Sequence, residues 1–294
     1  MKEVALNIVR DDGQEFAIDN RRWLIPNDGL ENWANLPHSV SVQENASYDG
    51  GTITNRRITT VDRSVHAVLR NPGENGRARL DAVRFFNPKH AFSAYLTYQG
   101  RTLWCEGVQA GFVCDTGNVY QPVEFDWTLM CPMPFLLSVD DFGKDVARIR
   151  GKFGFPVHSV IASTPAGVYK NGFVAGAYDF AGSVDIDNDG DLPTFPRVEV
   201  KADGAVVNPK ISIGDKFVRY VGSMTDGDSL LIDFTQRPPR VEFNGANAIN
   251  NVDRASTFTG FAIEVGDNEF TYTADEGENV MSVVLRYHKR YLGI

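Results

Sequence analysis

The clearest pattern in the chain is an alternation running from Val123 to Cys131. Val123, Phe125, Trp127, Leu129 and Cys131 are separated by Glu124, Asp126, Thr128 and Met130. Successive side chains of a strand point to opposite faces, so this segment is a half-buried strand with one apolar side. Pro132 and Pro134 stop it, because neither can donate to a ladder. Upstream, 74–86 reads as the one helix. Ala78, Leu80, Val83 and Phe86 supply an apolar stripe, Arg77, Arg79, Asp81 and Arg84 the wet face, and Asn87-Pro88 the stop. A hairpin is expected over 94–105, turning near Gln99-Gly100. Short strands are expected at 4–9 and 16–25 around the Asp12-Gly13 turn. The stretch 26–51 is rich in turn residues and ends in Tyr48-Asp49-Gly50-Gly51, and two strands follow around 57–70.

Residues 138–156 lack strand alternation and mix charge with glycine, which predicts a linker between a domain at 1–137 and another at 157–294. A length of 294 residues agrees with two domains of roughly 140 each. Past the linker, strand-like runs recur at 157–162, 172–177, 196–201, 210–221, 229–234, 240–243, 257–264, 269–273 and 280–287. Asp189-Gly190, Asp203-Gly204, Asp226-Gly227, Asn244-Gly245 and Gly266-Asp267 supply turns between them. Many short strands with no helical run between them predict an antiparallel sandwich. The chain is thus expected to be mostly β.

The order helix, Asn87-Pro88-Lys89, hairpin, long alternating strand, then Cys131-Pro132-Met133-Pro134-Phe135 resembles the distal tail proteins of long-tailed bacteriophages, the siphovirus tail-component family. The second half follows the family's order too. Asn188-Asp189-Gly190-Asp191 precedes Thr194-Phe195-Pro196, and Gly227–Asp233, Arg240–Gly245, Val265–Asn268 and Arg286–Leu292 come after. The resemblance spans essentially the whole chain, and the joint order of the motifs carries it. It implies an N-terminal β-sandwich with one α-helix that forms a hexameric ring, and a galectin-like C-terminal β-sandwich. It also implies a structural hub and not an enzyme. One face of the ring would join the tail tube protein, and the other would hold tail-tip, tail-associated and tape-measure proteins. The expected location is the distal end of a virion tail, after synthesis in the cytoplasm of a host bacterium. The acidic enrichment of 185–191 departs from the family pattern.

Charge sharpens this picture. The formal net charge of −9 argues against stable nucleic-acid binding, which rests on releasing counterions with Lys and Arg. A local exception is 51–101, where Arg56, Arg57, Arg63, Arg70, Arg77, Arg79, Arg84, Lys89 and Arg101 face only three acids. Residues 1–50 hold nine acids and four bases. Opposite charges on two faces of one domain would favour head-to-tail docking. Cys105, Cys114 and Cys131 are odd in number and match no zinc or Cys-x-x-Cys spacing, so they read as buried thiols of a reducing cytosol. The N-terminus has Glu3 and no long apolar run, unlike a signal peptide, and nothing approaches the ~20 apolar residues that span a bilayer.

The candidate chemistry is sparse. Asp185, Asp187, Asp189 and Gly190 match the opening of a calcium loop, but Pro196 stands where its bidentate Glu belongs, so the run reads as a solvated acidic turn. His38, His66, His90, His158 and His288 form no zinc-protease pattern, and no Gly-x-Ser-x-Gly elbow or phosphate loop is present. Ser163, Ser223 and Ser256 have no base that the sequence assigns. No catalytic, cofactor or metal residue is therefore expected. The competing function is a carbohydrate-binding adhesin or receptor-binding module. Against it, Trp23, Trp33, Trp104 and Trp127 all lie in the first half, leaving Tyr169, Tyr178, Tyr220 and Tyr272 as sugar platforms in the second.

Overall fold

The computed structural model describes residues 4–114, 121–142, 144–145, 147–151, 176–180 and 183–294. The chain divides into two compact units. Unit 1 holds 1–140 together with 190–192 and 289–294, and unit 2 holds 141–189 and 193–288. The chain is mostly β, with one α-helix among the described residues.

Unit 1 begins with β1 (Val4–Arg10), β2 (Glu15–Ile18), β3 (Trp23–Leu24), β4 (Leu30–Glu31), β5 (His38–Glu44), β6 (Gly51–Ile58) and β7 (Val61–Leu69). Helix α1 (Asn75–Phe85) follows, then β8 (Ala91–Tyr98), β9 (Arg101–Cys114), β10 (Glu124–Cys131) and β11 (Leu136–Ser138). One antiparallel sheet runs β2-β1-β8-β9-β10-β7-β3. Phe16 on one edge strand and Trp23 on the other have ring centroids 5.9 Å apart, so the sheet curls until its edges meet around one core. The alternation in β10 does what its pattern predicts: Phe125, Trp127, Leu129 and Cys131 are buried. Gly107 on β9 has a steric reason to be glycine, because a Cβ there would be driven into the Met130 carbonyl oxygen.

The helix lies where expected, with Ala78 and Phe86 of the expected stripe buried and Leu80 and Val83 turned outward. Ala78, Ala82 and Phe85 are buried at i, i+4, i+7 spacing, with Phe86 beyond the last turn, while Leu80 and Val83 are 54% and 46% exposed. Two alanines let the helix backbone approach the sheet closely, and Phe85 and Phe86 then fill the space against Phe16, Phe92, Phe125 and Trp127. The helix ends without a glycine cap. Arg10 of β1 caps it instead: Nη1 donates to the carbonyls of Arg84 and Phe85, both at 3.2 Å. A cation at the C-terminal end also matches the helix dipole.

Unit 2 contains β12 (Lys144–Asp145), β13 (Ala147–Gly151), β14 (Gly176–Phe180), β15 (Ser183–Asn188), β16 (Arg197–Ala202), β17 (Val206–Val207), β18 (Lys210–Ile213) and β19 (Lys216–Arg219). It continues with β20 (Ser223–Met224), β21 (Ser229–Asp233), β22 (Arg240–Phe243), β23 (Ala246–Asn247), β24 (Gly266–Thr273) and β25 (Met281–Arg286). Two antiparallel sheets, β12-β25-β16-β21-β22-β23 and β15-β24-β18-β19, share one core. Val198, Val200, Leu230, Ile232, Val283 and Leu285 come from the first, and Ile186, Ile211, Val218 and Phe270 from the second. Asn244 and Gly245 both take positive φ (50° and 79°), the type I′ geometry that a two-residue hairpin between β22 and β23 requires.

Several expectations change. The stretch 138–156, read as a linker, carries β12 and β13 in its described part, and β12 pairs with β25. The acidic run 185–191 is not a turn throughout, since 183–188 form strand β15. No strand forms over 257–264 beyond an isolated bridge of Thr194 with Ile263. The runs at 157–162 and most of 172–177 lie outside the described residues. The last strand, β26 (Arg290–Tyr291), returns to unit 1 and pairs with β11.

Candidate functional site

The most unusual surface of unit 1 is the hairpin β5–β6, which forms a two-stranded sheet of its own. The turn-rich reading of 26–51 missed β5. Seven register pairs hold the hairpin: His38↔Ile58, Ser39↔Arg57, Val40↔Arg56, Ser41↔Asn55, Val42↔Ile53, Gln43↔Thr52 and Glu44↔Gly51. Directly paired residues share a face. The bulge between Ser41 and Val42 shifts β6 by one residue, so Ile53 joins Val42 and Val40 on the side of His38, Ile58 and Arg56. Ser39, Ser41, Gln43, Thr52, Asn55 and Arg57 make up the other side. The hairpin is therefore amphipathic.

Nothing among the described residues covers its apolar side. Val40 is 47% exposed, Val42 57%, Ile53 53%, and Tyr48 at the tip 75%. A lone two-stranded hairpin is marginal in water, and three or more strands or a packing partner are normally needed. An arm that exposes Val40, Val42 and Ile53 on one face with no cover is suited to being covered by something else.

The basic window disperses in three dimensions. Arg63 is fully buried, with Nη2 donating to the Pro134 carbonyl at 2.7 Å, while Nε and Nη1 meet no oxygen or nitrogen partner among the described residues. Cys105 and Cys131 lie beside it. The Cys131 thiol is lowered to about 7, first by its hydrogen bond with Cys105 and then by the Arg63 charge, against the opposing effect of burial. The same hydrogen bond, together with burial, pushes Cys105 up. Arg101 stacks 4.0 Å over the Tyr291 ring. Arg22 of the acidic N-terminal stretch meets Glu74 and Asp81, so charges of the two stretches pair locally and do not segregate as whole faces. Arg56 and Arg57 stay exposed on the hairpin, and Arg77 and Arg84 on α1.

The tryptophans are core and not surface: Trp23, Trp33 and Trp127 are buried, and the half-buried Trp104 donates to the Ser138 carbonyl at 2.9 Å. His66 lies against Asp126 (2.8 Å) and Glu124 (3.7 Å), and His90 against Asp11 (2.5 Å). These are ion-pair geometries with no nucleophile at the imidazole. Ser256 Oγ accepts from the Arg219 amide, and Ser223 lies in β20 paired with Val207. His38 sits at the base of the hairpin, and the His288 carbonyl accepts from Thr194. His158, Ser163 and Tyr169 lie outside the described residues.

In unit 2, Tyr220 and Tyr272 are buried, at 4% and 1% exposure, so neither offers a ring face to a sugar. Tyr220 instead stacks on Phe243 at 5.7 Å. The outer face of β15 and β24 is acidic. Asp187 stands directly opposite Asp267, and Asp185 opposite Glu269. Held on a strand, these carboxylates do not wrap around a point as a calcium loop does. Among the described residues no three His, Cys, Asp or Glu side chains are grouped to hold a metal.

Comparison with known proteins places this architecture. Residues 189–291 match the family model described as siphovirus-type tail component, C-terminal domain. The whole chain is similar in fold to the Dit protein (gp 19.1) of phage SPP1, described as a paradigm of hub adsorption apparatus in phages infecting Gram-positive hosts. The TM-score is 0.63 at 13% identity, covering 97% of this chain and 98% of that one. It is also similar to a chain of the phage p2 baseplate in its activated conformation. The form with calcium gives a TM-score of 0.51 at 12% identity over 100% of both chains. The form with strontium gives 0.53 at 12% over 99% of both. No curated protein matches by sequence. The resemblance read from the sequence therefore stands, by family model over 189–291 and by fold over nearly the whole chain.

Proposed function

We propose, for a chain whose residues 189–291 match the siphovirus-type tail component model, that six copies close into a ring through unit 1 and serve as the distal tail hub of a long-tailed phage or phage-derived particle. In this reading one face of the ring joins the tail tube, the other carries tail-tip or baseplate proteins, and the role is structural and not catalytic. The likeness to hub and baseplate proteins supports the class of function.

The observation that carries the ring is the uncovered hairpin. A patch that met its own copy would stop at a dimer, whereas an arm that seats on a different surface of the next copy propagates, and gives a ring when the rotation between copies closes. The apolar side formed by Val40, Val42 and Ile53 supplies the burial, and Arg56 on that side limits which neighbouring surface it accepts. A stable contact should bury at least about 1,000 Å² between neighbours. Electrostatic docking of this kind weakens as salt rises.

The test is mass measurement of the full chain across concentration and salt, beside Val42→Asp and Ile53→Asp. Six-copy rings from the unmodified chain, and monomers from either variant with unchanged thermal unfolding, support the reading. A monomer at every concentration, or variants that assemble as well as the parent, would overturn it.

A further inference from the structure

Unit 1 is closed by residues far from the rest of it in sequence. Residues 289–294 belong to unit 1, although all of unit 2, 141–189 and 193–288, is made before them. Their attachment is extensive. Leu136 pairs with Tyr291 and Leu137 with Arg290. The Ser138 amide donates to the Lys289 carbonyl, and the Lys289 amide donates to Ser138 Oγ, both at 3.0 Å. Asp191, on the other short segment returned to unit 1, donates its amide to the Arg290 carbonyl at 2.9 Å and accepts from the Leu292 amide at 2.9 Å.

The side chains complete the core as well as the ladder. Tyr291 is buried with Leu136 in the same hydrophobic cluster as the sheet, and Ile294 packs against it. Arg101 lies 4.0 Å over the Tyr291 ring, and Arg290 lies 4.0 Å over Phe135. Without 289–294, β11 loses its outer partner, a tyrosine-sized hole opens beside Leu136, and backbone groups of Ser138 and Asp191 lose their bonds. Each of these losses destabilises a fold strongly.

We infer that residues 289–294 are a closing strap that makes unit 1 competent for assembly only after the chain has been synthesised through unit 2. The consequence for assembly rests on the ring proposed above. Chains cut short anywhere in unit 2 lack the strap, so they do not enter a ring as defective subunits. The arm β5–β6 is made early and is uncovered, which is why its seat on the next copy needs such a control.

All four tryptophans, Trp23, Trp33, Trp104 and Trp127, lie in unit 1, so tryptophan fluorescence reads its unfolding separately from unit 2. The full chain is compared with a chain ending at His288, with Tyr291→Ala, and with Leu292→Ala, whose side chain is 40% exposed. The fluorescence midpoint is expected to fall by about 10 °C for Tyr291→Ala, and further for the shortened chain. Leu292→Ala should stay within about 2 °C of the parent. A tagged chain ending at His288, co-produced with untagged full-length chain, is expected to recover no full-length partner. A parental fluorescence midpoint for the shortened chain, or mixed rings recovered through its tag, would overturn the inference. Full-length chain that never forms rings would overturn the hub reading, while the fluorescence shift would still report on the strap.

Discussion

The facing carboxylates of β15 and β24 allow a sharp test of how unit 2 is held. Asp187 and Asp267 are direct cross-strand partners, and the next pair on that face is Asp185 with Glu269. Like charges directly opposite each other destabilise a sheet, and opposite charges at the same spacing stabilise it by roughly 0.2–1 kcal/mol. Asp267→Lys removes one repulsion and installs one attraction. Both partners are exposed, which keeps each contribution toward the low end, so the change should total about 1 kcal/mol in dilute buffer. For a unit of this size that raises the melting midpoint by roughly 3 °C. Asp267→Asn should give about half the rise, since only the repulsion is removed. Calorimetry resolves the unit 2 transition, with tryptophan fluorescence marking the other. In 1 M salt the screening length falls to about 3 Å and most of the gain should disappear. A midpoint unchanged or lowered at low salt in both variants would refute the reasoning.

Two further outcomes follow from unit 1. Asp12, paired with Arg10, is held at about 2, and Asp11, hydrogen-bonded to His90 and the Ala91 amide, is also held below the usual carboxylate range. A depressed carboxyl stabilises the fold above its unfolded value near 3.9 and loses that contribution as pH falls through the folded one. The fluorescence-detected urea midpoint should therefore drop between about pH 4 and pH 2, and Arg10→Met should flatten the drop while lowering the midpoint at pH 7 through loss of the helix cap. Arg63→Met should be neutral or stabilising, by up to a few kcal/mol in urea denaturation, because it replaces a buried, incompletely bonded cation by an apolar side chain of similar length. A loss above about 3 kcal/mol would mean the guanidinium is better satisfied than its geometry indicates.

What was legible in the sequence is what burial writes with a regular period. The alternations in β10 and β25 are plain because one face is core and the other is not. The helix was located by its Asn-Pro stop, but its inward face was misjudged in part. Of the expected stripe Ala78 and Phe86 are buried and Leu80 and Val83 are not, because close approach to the sheet selects Ala82 and Phe85 in their place. Strand β15 was hidden because Asp disfavours strands. Val184, Ile186 and Asn188, the inward-facing half of its pattern, were the available signal. The hairpin escaped because it has no core face within unit 1 and its bulge breaks the alternation of β6. Arg63 shows the limit of reading charge as surface. The strap could not be read at all, since two residues pairing with partners more than 150 positions away leave no local period.

Gly107 and Gly277 bear on how such a fold diverges. The fold recurs at 13% identity, so it tolerates different residues at most positions. Gly107 and Gly277 tolerate fewer. A Cβ at Gly107 collides with the Met130 carbonyl and one at Gly277 with the Ala205 carbonyl, and in each case the obstruction is backbone, which no neighbouring substitution removes. Gly277 also has a φ of 78°, which disfavours other residues independently of space. Among the described glycines these two meet the closest backbone obstruction, so glycine should persist at both even where the core side chains around them are replaced.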